Sequence, residues 1–188
     1  MGKLSEAKIL GGIGALLMLC GGFILPGIGA IVGLVLLFIA VKYISDEVKD
    51  QGIFDNYLMH FICSIIAIVA VVLIFFASIG FSFTFFTAIQ KMNFTDFNSV
   101  WSFFEPYLLW WVIAIAIGWI FLVIGALYLR KCYDSMASHT KVHLFSTTGL
   151  VYFIGAVTLI IGIGILIIFI AKVLEIVAYF SLPEKISD

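Results

Sequence analysis

ILGGIGALLMLCGGFILPGIGAIVGLVLLFIAVKYI, residues 9–44, is an all but unbroken apolar run whose one interruption is Leu25-Pro26-Gly27. As a single helix it would reach about 54 Å at 1.5 Å per residue, well beyond the ~30 Å hydrocarbon core of a bilayer. The chain must therefore double back inside the run. Pro26 withholds a helical donor and Gly27 accepts the dihedrals of a tight reversal, so two spans are predicted to meet there. The result is a transmembrane hairpin, and each later loop inherits its side of the membrane from it.

The rest of the chain agrees with lipid as the solvent. Of 188 residues, 64% are hydrophobic and 11% charged, too little polar surface to cover a soluble globule of this size. The formal net charge is -1 and the basic residues form no stripe, which argues against a nucleic-acid partner. Cys20, Cys63 and Cys132 make no CxxC pair, so no disulfide framework is expected. Lys3 and Lys8 before an apolar segment resemble a signal peptide, but Leu19 is too large to precede a lipoprotein cysteine. The segment reads instead as the first span.

Taken in order, the spans are predicted at about 7–25, 28–44, 57–79, 107–129, 144–161 and 165–182: an all-α, polytopic membrane protein of six helices with a hairpin at each end. Connectors fall at Lys42–Asn56 and Lys131–Lys141. Pro106 suits the first position of the fourth span, where the missing donor is unpaired in any case. Ile161-Gly162-Ile163-Gly164 supplies the second reversal. Residues 81–104 mix aromatic rings with hydroxyls and amides, as expected of an interfacial segment on the outer face. Trp110 and Trp111 would anchor the outer end of the fourth span.

Charge placement supports six crossings. Lys3, Lys8, Lys42, Lys49, Arg130, Lys131, Lys141 and Lys185 then share one face, with Lys91 alone on the other. By the positive-inside rule the crowded face is cytoplasmic and holds both termini, which places a multi-pass protein in the plasma membrane. Four crossings would divide the same residues almost evenly. Ile13-Gly14-Ala15-Leu16-Leu17-Met18-Leu19 also resembles Ile154-Gly155-Ala156-Val157-Thr158-Leu159-Ile160, as a parallel internal repeat would.

Ala7-Lys8-Ile9-Leu10-Gly11-Gly12-Ile13-Gly14-Ala15, Pro26-Gly27-Ile28-Gly29, Ile39-Ala40-Val41-Lys42-Tyr43-Ile44-Ser45 and Ala178-Tyr179-Phe180-Ser181-Leu182-Pro183-Glu184 are the segments that carry a family likeness. Through them the chain resembles an archaeal integral-membrane family catalogued only as a domain of unknown function. The resemblance implies an archaeal membrane protein. It brings no activity, substrate or cofactor.

Few polar residues remain to carry chemistry. Lys172 and Glu175 lie inside the sixth span, three apart on one helix face. A basic residue at helix centre costs ~2.5–3.5 kcal/mol to insert, so Lys172 needs a partner. The pair reads as a structural lock or as a proton or ion relay; a relay wants further ionisable groups at similar depth, and Thr158 is the nearest candidate. His139 and His143, with Cys132 near, have a zinc-like spacing but no evident third ligand, and a solvated juxtamembrane helix explains them as well. His60 near the start of the third span needs only a headgroup contact. Asn93-Phe94-Thr95 is a glycosylation sequon on the expected outer face. Gly11, Gly14, Gly29, Gly33 and Gly118 are small residues that allow close helix packing, within the chain or between copies. No Walker loop, GxSxG elbow or paired catalytic carboxylates occur, and no cofactor is implied. The expectation is a non-catalytic membrane protein in contact with lipid, self-associating or serving as an accessory subunit among other membrane subunits. The alternative is a small ion- or proton-coupled transporter or channel using Lys172 and Glu175.

Overall fold

The computed structural model describes residues 2–24, 28–79, 89–90 and 96–184. Regular structure among them is helical: α1 Lys3–Ile24, α2 Ile28–Val48, α3 Gln51–Ile79, α4 Phe97–Thr140, α5 Leu144–Thr158 extended by a 3-10 turn Leu159–Ile161, and α6 Gly164–Phe180. Among the described residues four helical stretches are long and apolar enough to cross a membrane: Ile28–Val48, Gln51–Ser78, Phe104–Thr140 and Leu144–Ile161. The chain divides into two compact units, Met1–Ile62 with Val123–Asp188, and Cys63–Leu122.

The first unit is held together by small residues. α1 and α2 run antiparallel, with Lys3 3.8 Å from Asp46 at one end and Gly14 against Gly33 further along. A Cβ on Gly33 would come within 2.7 Å of the Gly14 carbonyl, and one on Gly14 within 2.8 Å of the Gly33 carbonyl. The backbones therefore touch, as in glycine-mediated packing within lipid. α5 and α6 repeat the arrangement with Gly155 against Gly164, so Gly14 and Gly155, aligned by the internal similarity, both sit at close crossings. α6 also lies antiparallel to α1: the Gly11 backbone fits beneath Tyr179, and Lys8 Nζ donates to the Leu182 carbonyl at 3.1 Å.

Both ends of the described chain thus meet at one end of this unit, where the connectors also lie. Asp50, after α2, accepts from Ser135 Oγ of α4 at 2.5 Å, and Asp134 accepts from Ser146 of α5 at 2.6 Å. The reversal between α5 and α6 falls at Gly162, whose φ of 84° no β-carbon residue adopts cheaply and whose N–H closes on the Leu159 carbonyl. Leu25–Gly27, expected to turn the first hairpin, lies outside the described residues.

In the second unit Gly118 of α4 faces Val71 and the Ala67 carbonyl of α3. Trp111 stacks on Phe75 at 5.3 Å and donates through Nε1 to Ser78 Oγ at 3.2 Å, while Trp110 is exposed. Trp111 is therefore a packing residue, and of the two expected anchors Trp110 alone faces outward.

Large apolar side chains cover much of the outside, and alanines stand among the larger residues of the inside such as Tyr133, Phe145 and Leu37. Ala7, Ala40, Ala171 and Ala178 are fully buried, whereas Leu109 and Leu166 are 68% exposed and Ile68 and Ile165 65%. An exterior so rich in exposed large apolar side chains suits helices immersed in hydrocarbon.

Helix ends depart from the sequence reading. The connectors expected at 42–56 and 131–141 are mostly helical, since α2 continues to Val48, α3 starts at Gln51 and α4 runs to Thr140. Pro106 stands inside α4, not at its first position. A change to polar composition marks where the solvent changes, and a helix can continue past that point into water. Most of 81–104 lies outside the described residues; 97–104 belongs to α4.

Candidate functional site

α6 turns Gly164, Ala171, Glu175, Ala178 and Tyr179 inward, the stripe that 3.6-residue periodicity dictates. Glu175 is the charged member of that stripe, 2% exposed. Its two oxygens have separate partners. Lys172 Nζ, one turn earlier, donates to Oε2 at 2.7 Å, and Tyr133 of α4 donates through its hydroxyl to Oε1 at 2.7 Å. A buried carboxylate is tolerable only with such charge and hydrogen-bond compensation.

Three further side chains complete the surroundings. The Lys172 ammonium stands over the Tyr152 ring, 5.5 Å from its centroid, where the ring quadrupole favours a cation. His60 of α3 meets the same ring edge-on at 5.8 Å and donates from Nδ1 to the Gly125 carbonyl at 3.0 Å. Tyr57, one turn before His60, is buried within electrostatic reach of Glu175. α3, α4, α5 and α6 of the first unit therefore converge on one charge pair.

Tyr133, Tyr152, Tyr57 and His60 are the members that sequence reasoning missed. Tyr133 falls in the stretch read as a connector, and His60 was assigned a headgroup contact; the structure gives it a carbonyl and two aromatic neighbours instead. Their signal was a polar tip on an aromatic body within apolar helix, which by itself does not name a partner. Thr158, the neutral relay candidate, bonds back to the Ile154 carbonyl of its own helix at 2.8 Å.

The remaining candidates stand elsewhere. His139 donates to the Ser135 carbonyl at 2.9 Å at the end of α4, His143 precedes α5, and Cys132 is fully buried. Among the described residues no three His, Cys, Asp or Glu side chains converge as a metal would require. Gly11 lies against Tyr179, Gly14 against Gly33, Gly118 against Val71, and Gly29 is buried in α2. Asn93 lies outside the described residues.

Comparison with known proteins adds kinship without activity. A family model described as "Protein of unknown function (DUF996)" matches residues 29–173. An uncharacterised protein of the archaeon Methanocaldococcus jannaschii is 36% identical over 186 residues, covering 99% of this chain and 97% of that protein. The family model spans the middle of the chain, whereas the opening and closing segments that carried the resemblance lie beyond it. No solved structure matches.

Proposed function

The chain belongs to the DUF996 family of proteins of unknown function, and from that premise we propose that it is a non-catalytic, multi-span protein of the plasma membrane. It associates through small-residue faces, with itself or as an accessory subunit of a larger membrane complex. The observation that carries this reading is the closure of Glu175, whose two carboxylate oxygens are both held by protein donors in a site 2% exposed. A carrier's carboxylate must release and rebind its ion in every cycle. One occupied on both sides by its own helices acts as a lock.

Six crossings with both termini cytoplasmic fit the same picture. α1 carries Lys3, Glu6 and Lys8 only in its first turns, and α6, with 17 residues, spans about 26 Å at 1.5 Å per residue, near the hydrocarbon thickness. The contacts of Lys8 with Leu182 and of Ser135 with Asp50 gather both described ends and both connectors at the end of the first unit that carries Lys3, Lys42, Lys49, Lys131 and Lys141. The positive-inside rule makes that end cytoplasmic.

One observation favours the alternative of an ion- or proton-coupled transporter: His60 and Tyr152 bring more titratable groups beside the pair. Reconstitution of the wild type and of Lys172→Met with Glu175→Gln into liposomes separates the two. A lock predicts no proton or ion flux in either preparation and the same assembly state in mild detergent for both. Flux in the wild type that the double variant abolishes would replace this reading with transport.

A further inference from the structure

Large aliphatic side chains crowd the reversal between α5 and α6. Ile160, Ile161, Ile163, Ile165 and Leu166 are between 56% and 68% exposed around Gly162. Residues 159–171 offer no side chain that can hydrogen-bond, and neither do residues 21–41 of the α1–α2 hairpin. A turn lifted into water would leave this apolar surface wet at a large cost. Residues 91–98, before and at the start of α4, read differently, with Lys91, Asn93, Thr95, Asp96 and Asn98.

Both hairpins are also short. At 1.5 Å per residue the charge-free residues 9–24 of α1 measure about 24 Å, 28–41 of α2 about 21 Å and α6 about 26 Å, whereas 57–79 of α3 and 107–129 of α4 each measure about 35 Å. Against a hydrocarbon core of ~30 Å the first group falls short and the second does not. α6 accordingly stands outside the four stretches long and apolar enough to cross on their own. The shortfall belongs to the outer side. Lys8 ties the other end of α1 to Leu182, and moving that end outward would draw the ion-paired Lys3, Asp46 and Lys42 toward hydrocarbon.

The turn itself still needs polar neighbours. Helix ends leave carbonyls and amides without partners inside the helix, and two such ends meet at Gly162, whose own N–H closes on the Leu159 carbonyl at 2.9 Å. Such groups are not left in hydrocarbon. The reversal therefore wants apolar contacts at its flanks and polar ones at its apex, and a bilayer that thins to match a short span supplies both.

We infer that the outer end of the first unit is a surface fitted to lipid, over which the outer leaflet thins: acyl chains flank Ile160, Ile161, Ile163, Ile165 and Leu166, and headgroups are drawn inward toward Gly162. The inference rests on the multi-span reading and is indifferent to whether Glu175 is a lock. Each hairpin still leaves and returns on the cytoplasmic side.

Nitroxide-labelled Ile163→Cys and Ile161→Cys test it, each in the full chain with Cys20, Cys63 and Cys132 replaced by alanine. The vesicles are phosphatidylcholine with myristoleoyl, oleoyl or erucoyl chains, successively thicker. Collisions with oxygen, which dissolves in lipid, and with a water-soluble nickel chelate on both sides report depth. Asp96→Cys is the aqueous reference and Phe169→Cys, at an exposed position along α6, the hydrocarbon one. In oleoyl and erucoyl vesicles nickel collisions at both tip positions should be several-fold fewer than at Asp96 and should rise as the chains shorten, with oxygen collisions high throughout. Nickel collisions equal to those at Asp96 in every lipid would place the reversal in water and overturn the inference. A tip that neither agent reaches would overturn it too, since protein and not lipid would then cover the turn. Frequent nickel collisions at Phe169 would remove the multi-span reading and the inference with it, whereas failure at the tip alone leaves that reading standing.

Discussion

Tyr133 and Glu175, 42 positions apart, meet through a single 2.7 Å hydrogen bond that ties the C-terminal part of α4 to the inward face of α6. The bond matters because the Glu175 carboxyl group is buried whether or not the tyrosine hydroxyl is there to meet it. Tyr133→Phe should destabilise the protein by about 1–3 kcal/mol, the cost of a buried acceptor losing a donor. Lys172→Met should cost more, about 3–5 kcal/mol, since it leaves a buried charge unpaired. Adding Glu175→Gln to Lys172→Met should recover part of that loss, because the pair then disappears as a unit. Denaturant unfolding of the single and double variants measures the coupling; strictly additive losses would show that the two residues do not act together.

Gly14 and Gly33 make a second, sharper contrast with Gly118. A methyl on Gly33 would meet the Gly14 carbonyl and the Met18 amide at 2.7 and 2.8 Å, backbone atoms that move only if α1 and α2 separate. Gly33→Ala and Gly14→Ala should each cost about 1–3 kcal/mol by forcing that separation. Gly118→Ala would meet a methyl of Val71 at 2.5 Å, the far end of a side chain that can rotate away. Its cost should stay below about 1 kcal/mol. Melting temperatures of the three variants in one detergent check the order, and an equal loss at Gly118 would contradict it.

These positions also show what the sequence could and could not reveal. Gly162 was legible because a reversal inside an apolar run too long for one crossing needs a residue free to take a positive φ, which is a local requirement. Lys172 with Glu175 was legible because charges within apolar helix are costly and three-residue spacing places them on one face. Tyr133, Tyr152 and His60 were not, because their partners lie on other helices and no spacing within one helix encodes a tertiary neighbour. The 44-residue length of α4 was hidden for a different reason: Arg130 to Thr140 is polar, and polarity reports the solvent around a helix without reporting its end.

Lys49 adopts φ 55° where α2 stops, and the Asp50 amide reaches back to the Ser45 carbonyl at 3.1 Å, the six-to-one bond of a Schellman cap. A side chain in that left-handed conformation costs about 1–2 kcal/mol, which glycine avoids at the expense of a looser unfolded chain. Lys49→Gly should therefore raise stability by about 0.5–1 kcal/mol. Lys49→Ala, which removes the charge but keeps the β-carbon, is the control. If both variants shift the unfolding midpoint equally, the charge and not the backbone is responsible.

The crossing number can be read from which side of the membrane a residue faces. Lys49 and Lys141 occupy the two connectors of the first unit, both with positive φ at a helix end. Asn93 lies between α3 and α4 in sequence. An even number of crossings in each terminal segment puts Lys3 in one compartment with Lys49 and Glu184 in one compartment with Lys141, and two crossings between Lys49 and Lys141 put Asn93 on the other side. Single substitutions Lys3→Cys, Lys49→Cys, Asn93→Cys, Lys141→Cys and Glu184→Cys, in a background with Cys20, Cys63 and Cys132 replaced by alanine, report this to a membrane-impermeant thiol reagent. In sealed cells only Asn93→Cys should be labelled, and in inverted vesicles the other four. Should Lys3→Cys and Glu184→Cys react from the same side as Asn93→Cys, each terminal segment would cross once, and the six-crossing layout would fall together with the cytoplasmic assignment of both termini.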